Sequence, residues 1–183
     1  MIDSKQASAA LSDIDDVVRR VRQSQIYRIA SLIIAMWGVL LFFTYIFNYL
    51  WPRQGYMIWT VSNLLGFAIT TAMGFVSNMR SGARNFPIRS TITFLLIAAF
   101  GVYCSVWLGH FSPRQMTVFF ALYGMLFYAI AGVWFGYAFI VIAICTTALT
   151  LIAYYYAGSA FLLWMAVAHG GGLVVGGLWM RRI

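Results

Sequence analysis

All four acidic residues of this 183-residue chain lie at or before Asp16, so the remaining 167 positions contain no carboxylate side chain. Carboxylates are the usual proton carriers, divalent-cation ligands and catalytic acids of membrane and soluble proteins alike. Their absence excludes a carboxylate-based proton-coupled transporter, a magnesium or calcium site built from side chains, and a two-carboxylate hydrolase. Lysine is missing after Lys5, which removes a Schiff-base site. There is no G-x-S-x-G elbow, no H-E-x-x-H and no glycine-rich phosphate loop opening a helix. The only cysteines, Cys104 and Cys145, fall inside apolar runs and read as small buried residues, not as a disulfide or metal pair. The expectation is a non-enzymatic protein without a metal centre; residual chemistry would have to pair His169 with a serine or cysteine.

What the chain has in abundance is apolar surface. It is 63% hydrophobic and 9% charged, far from the balance of a water-soluble domain. Lipid is the solvent that tolerates such an exterior, provided every backbone polar group is satisfied internally. Ten-residue polar–apolar alternation is missing, which excludes a barrel. The predicted fold is therefore all-α: a polytopic bundle of six transmembrane helices spanning about 29–50, 57–76, 90–109, 116–135, 137–156 and 160–180. Only Gly136 separates the fourth and fifth runs. A single helix from Met116 to Tyr156 would be about 60 Å long, twice the hydrocarbon core, so a tight hairpin at residues 134–137 is expected.

Basic residues orient the bundle. Lys5, Arg19, Arg20, Arg22, Arg28, Arg80, Arg84, Arg89, Arg181 and Arg182 fall on one side, Arg53 and Arg114 on the other. Basic residues are retained in the cytoplasm, which places both termini there. Aromatics mark the same two interfaces, with Trp51, Tyr56, Trp59, Trp107 and Tyr154 to Tyr156 outside, and Tyr27, Trp134, Tyr137 and Trp179 inside. The plan is that of a multi-pass protein of a bacterial inner (cytoplasmic) membrane.

Residues 1–27 form a cytoplasmic segment ahead of the membrane domain, 28–183. Ser12 followed by Asp15 resembles a capping box, and Ile14, Val17, Val18 and Val21 share one face of a helix. An amphipathic helix from about residue 13 is expected, lying on the membrane surface or continuing into the first span. Arg19, Arg20 and Arg22 would meet anionic lipid headgroups or a protein partner. The formal charge of +8 is scattered over three cytoplasmic pieces and is explained by topology, so nucleic acid is not expected as a partner.

Inside the spans, His169 stands out, because an ionisable side chain at mid-membrane needs a reason. Gly170, Gly171, Gly172, Gly176 and Gly177 come after it. One reading makes Ala168, Gly172 and Gly176 a small-residue ridge for close helix approach, with His169 hydrogen-bonding across it. Another lets the triple glycine unwind the helix into a mid-bilayer binding or gating site. A third takes His169 as the single axial ligand of a haem; otherwise no cofactor is expected. The second span carries Asn63, Gly66, Thr70, Gly74 and Ser77 on one face, and the fifth carries Thr146, Thr147 and Thr150. Such stripes either line a pathway or pack helices.

Three functions fit these residues. The first is a channel or carrier for a small neutral or anionic solute, in which Asn63, Thr70, Thr147 and His169, with Gly170 to Gly172, meet inside the bundle or between copies of a homo-oligomer. The alternative is a non-enzymatic accessory or regulatory protein that binds a cytoplasmic or membrane partner through its N-terminal helix or a membrane face. The further alternative is a single-histidine cofactor-binding protein. The orientation can be checked with single-cysteine variants lacking Cys104 and Cys145. A membrane-impermeant maleimide added to intact cells labels R53C and leaves R84C unlabelled until the membrane is opened; the reverse pattern overturns the topology.

Overall fold

A computed structural model describes residues 4–81, 95–97 and 99–182, and every regular element among them is helical. Five helical stretches are long and apolar enough to cross a membrane: Ile26–Leu50, Pro52–Val76, Pro113–Phe135, Tyr137–Tyr156 and Gly158–Met180. A shorter apolar helix, Leu95–Leu108, stands where the third span is expected; residues 82–94, with the basic connector and the start of that span, lie outside the described residues. The chain is thus an all-helical protein with five to six long apolar helices, as a multi-pass membrane bundle requires.

The helices are α1 Ser4–Leu50, α2 Gly55–Ser81, α3 Leu95–Leu108, α4 Pro113–Phe135, α5 Tyr137–Tyr156 and α6, the Gly158–Met180 stretch. The N-terminal helix departs from expectation. It begins at Ser4, not near residue 13, although its unbroken run into the first apolar stretch is one of the two expected courses. The capping signal at Ser12 is overridden because Lys5 to Leu11 are good helix formers without glycine or proline. A genuine capping box opens α4 instead: Ser112 and Gln115 bond each other's backbone N–H, and Pro113 takes the first helical position.

α1 packs on α2 and on α6; α5 packs on α6 and, as a hairpin, on α4. α3 reaches α4 through Tyr123, whose hydroxyl donates to the Ile97 carbonyl at 2.8 Å while its ring lies over Gly101. The hairpin at Gly136 is as the sequence predicts. Gly136 has φ 130° and ψ 161°, a region that is essentially restricted to glycine, and one such residue reverses the chain. The neighbouring turn is equally demanding, since a Cβ on Gly132 would collide with Ile140.

Two apolar clusters are stacked along the bundle. One gathers Tyr27, Ile34, Met125, Phe139, Ile142, Leu173 and Met180; the other gathers Tyr45, Val118, Ala121, Ala153, Phe161 and Met165. On α5 and α6 the buried residues between them include three polar ones, Thr146, Thr150 and His169. Much of the outer surface is exposed leucine, valine and phenylalanine, notably on α2, as suits contact with lipid tails.

Glycines separate sharply by environment. Gly136→Ala should destabilise the detergent-solubilised chain by about 1–3 kcal/mol, read as a lowered thermal midpoint. Gly74→Ala, where a Cβ meets no described atom within 4 Å, should leave the midpoint unchanged or raise it. Equal behaviour of the two variants would show that Gly136 is not conformationally required.

Candidate functional site at the buried histidine

The glycines after His169 do not unwind the helix. Residues Ala166–Gly171 form a π-helical turn, and helical backbone resumes over Gly172–Met180. Gly171 and Gly172 both keep right-handed helical dihedrals. The expectation of an unravelled backbone is thereby replaced by a widened turn, in which the Gly172 N–H reaches back to the Val167 carbonyl.

That turn presents two faces. Toward α1, a Cβ on Gly170 would sit 2.7 Å from the Phe42 backbone, one on Gly38 would meet the Val174 nitrogen at 2.6 Å, and one on Gly177 would meet the Ser31 carbonyl at 2.7 Å. Toward α5, Gly172 faces the Thr146 hydroxyl and Gly176 faces Ile142. The predicted ridge of Ala168, Gly172 and Gly176 is therefore only part of the contact: Gly172 and Gly176 serve α5, while Gly170 and Gly177, with Gly38, serve α1. Ala168 is buried, and Gly171 meets little besides its own helix.

His169 is 5% exposed, and its Nδ1 shares a 2.9 Å hydrogen bond with the hydroxyl of Tyr45, itself 1% exposed. Tyr45 rests edge-on against Trp59, with ring centroids 5.3 Å apart. The pair joins α1 to α6 across the middle of the bundle. Thr150 is fully buried, and among the described residues its hydroxyl has no hydrogen-bond partner. Thr146 and Thr150 occupy successive turns of α5, and the contacts of Gly176 with Ile142 and of Gly172 with Thr146 set an antiparallel register. Continued by one turn, that register brings Thr150 level with Ala168 and His169.

The other predicted pathway and packing residues lie on α2 and α5. Thr70 accepts from the Trp37 indole N–H at 3.0 Å, and Gly66 lies under the same indole, so both belong to the contact of α1 with α2. Asn63 donates to the Trp59 carbonyl of its own helix at 2.8 Å. Thr147 is half-buried, one position around α5 from Thr146. A Cβ on Gly74 would meet no described atom within 4 Å. The side chains of Arg19, Arg20 and Arg22 lie outside the described residues, although their backbone belongs to α1. Asn63 and Thr70 thus spend their polar groups on their own helix and on Trp37, while His169 is bonded to Tyr45. Among the described residues, no group of three or more His, Cys, Asp or Glu is positioned to hold a metal. Cys104 and Cys145 are unpaired; Cys145, expected to be buried, is on an exposed face of α5.

Three residues of consequence escape a reading by composition. Tyr45 and Trp37 lie within the first span, away from both interfaces, and each spends its polar atom on a neighbouring helix; an aromatic donor in mid-span is a signal for such a bond. Arg114 is the third. Its guanidinium donates to the carbonyls of Tyr154 at 2.6 Å, Ala153 at 3.4 Å and Gly158 at 3.2 Å, and lies 4.7 Å from the centre of the Phe161 ring. A cation at the carbonyl end of α5 is electrostatically favourable, and here it ties together the adjoining ends of α4, α5 and α6.

No protein-family model, curated protein or solved structure matches the chain.

The Tyr45–His169 bond can be tested by a double-mutant cycle of Tyr45→Phe and His169→Phe. A coupling of about 1 kcal/mol is expected for a bond between helices in a membrane protein, measured from unfolding in mixed micelles. Strictly additive effects would mean that the two side chains act independently.

Proposed function

We propose that this chain is a non-enzymatic accessory or regulatory protein of a bacterial inner membrane, with six spans and both termini in the cytoplasm, that holds a protein partner through its N-terminal helix. The observation carrying this reading is the continuity of α1 from Ser4 to Leu50. Its membrane stretch begins at Ile26, which leaves 22 residues, about 33 Å of helix, ahead of the bilayer. A short polar helix is marginal alone in water, but this one is propagated from a lipid-embedded helix and needs no nucleation of its own. Its apolar positions Ile14, Val17, Val18 and Val21 fall on one face, and three acidic residues precede three arginines along it. Such a helix suits the groove or helical face of a partner. The positive-side bias supports the orientation, and packing supports part of it: α1 and α6 run antiparallel, which brings Arg28 to the same end as Arg181 and Arg182.

Passage of a small neutral or anionic solute is the second reading, favoured by the buried hydroxyl of Thr150 level with His169. Because Asn63 and Thr70 are committed elsewhere, a pathway would need groups contributed between copies of a homo-oligomer. A haem on His169 is less well supported, since the flanking glycines are covered by Phe42 and Thr146.

Deletion of residues 1–24 tests the first reading. The truncated membrane domain should keep its thermal midpoint, while photocrosslinking from position 18 in the full chain gives one discrete protein adduct that the V21D variant loses. If no adduct forms, and liposomes carrying the full chain pass a solute in a manner abolished by His169→Ala, the transport reading replaces it.

A further inference from the structure

The C-terminal end of α6 carries a crevice of about 240 Å³ lined by Val175, Leu178, Trp179 and Arg182. Val175 is 68% exposed and Leu178 53%, so its apolar wall opens outward along the helix, while the arginine stands at its end. Tyr137, at the start of α5, packs edge-on against Trp179 with centroids 6.3 Å apart, and this aromatic pair marks the level where a bilayer meets water. The helix end itself is closed by backbone: the Arg181 N–H bonds the Gly177 carbonyl and the Arg182 N–H bonds that of Trp179. Antiparallel packing brings Arg28 to the same end, since the Ser31 carbonyl, one turn further on, touches Gly177.

Three guanidinium groups therefore share this end of the bundle, and among the described residues no Asp or Glu side chain meets them. The nearest in sequence, Asp16, is twelve residues before Arg28, about 18 Å along the helix. Along the continuous helix α1 the acidic side chains are thus out of reach of Arg28, and the arginines at this end are open to an anion from the surroundings. A free anion would satisfy the arginines and leave the apolar wall uncovered; a zwitterionic lipid would cover the wall and bring a cation to a cationic rim. From this charge complementarity we infer that the crevice binds an anionic phospholipid, with an acyl chain against Val175 and Leu178, the headgroup phosphate at Arg182, and Trp179 between them. This is a specific lipid site on the membrane face of α6, separate from the N-terminal helix.

Native mass spectrometry of the full chain in detergent, titrated with phosphatidylglycerol or phosphatidylcholine of matched acyl chains, tests the assignment. Wild type should retain phosphatidylglycerol at concentrations about tenfold below those needed for phosphatidylcholine, a ratio in keeping with the attraction of one or two arginines to an anionic headgroup. R182Q should abolish that preference. V175W, which fills the crevice, should weaken retention of both lipids, and R53Q, in the segment joining α1 to α2, should change nothing. Equal retention of the two lipids by wild type, a preference that survives R182Q, one lost equally with R53Q, or binding unaffected by V175W would each overturn the site. Displacement of the lipid by millimolar inorganic phosphate would likewise overturn it, because it would show that the anion alone is recognised.

Discussion

Contact between α1 and α6 is made backbone to backbone, and the interior of the bundle is arranged around it. Gly38, Gly170 and Gly177 remove the side chains that would hold the two helices apart. In lipid there is no hydrophobic force to drive helices together, so close packing and hydrogen bonds between them must supply the attraction. The approach brings Tyr45 within reach of His169, and the bond that results satisfies two polar groups that would otherwise be isolated between the stacked apolar clusters. The π turn belongs to the same arrangement. An extra residue within a turn rotates the rest of the helix by roughly 100°, allowing α6 to meet both α1 and α5 with glycines.

The sequence foretells some of this well. Long apolar runs separated by a lone glycine leave few alternatives to helices and a hairpin, and Gly136 takes a backbone geometry that only glycine accepts freely. Polar side chains inside the spans are harder to read. Thr70 and Asn63 look alike on a helical face, yet one accepts from an indole on another helix and the other bonds its own backbone. Spacing puts them on the same stripe; only tertiary placement shows which have been consumed by packing. Partners such as Tyr45 and Trp37 are concealed for a related reason, because an aromatic ring in an apolar run counts as hydrophobic until its polar atom is traced to a partner. The N-terminal boundary fails differently. A cap-like pair at Ser12 and Asp15 marks a helix start only where the preceding residues resist helix, and here they favour it.

Charge is distributed with similar economy. Arg114 is held by main-chain carbonyls and aromatic rings, a solution suited to a chain without carboxylates beyond its first segment. Where three helix ends meet, one guanidinium answers the carbonyls left over at the end of α5. Among the described residues, the arginines at the opposite end of α6 have no such cluster of carbonyls. The two ends thus differ in whether their cations are already engaged.

The one-residue reversal at Gly136 also bears on how the protein is made. A loop of that size holds no polar segment that could wait on either side of the membrane while a single helix settles. α4 alone would have to leave the turn and the apolar start of α5 stranded in water, and α5 alone would do the same to the end of α4. The two are therefore obliged to enter the bilayer together as a preformed pair, making the helical hairpin, and not the individual span, the unit of insertion during synthesis.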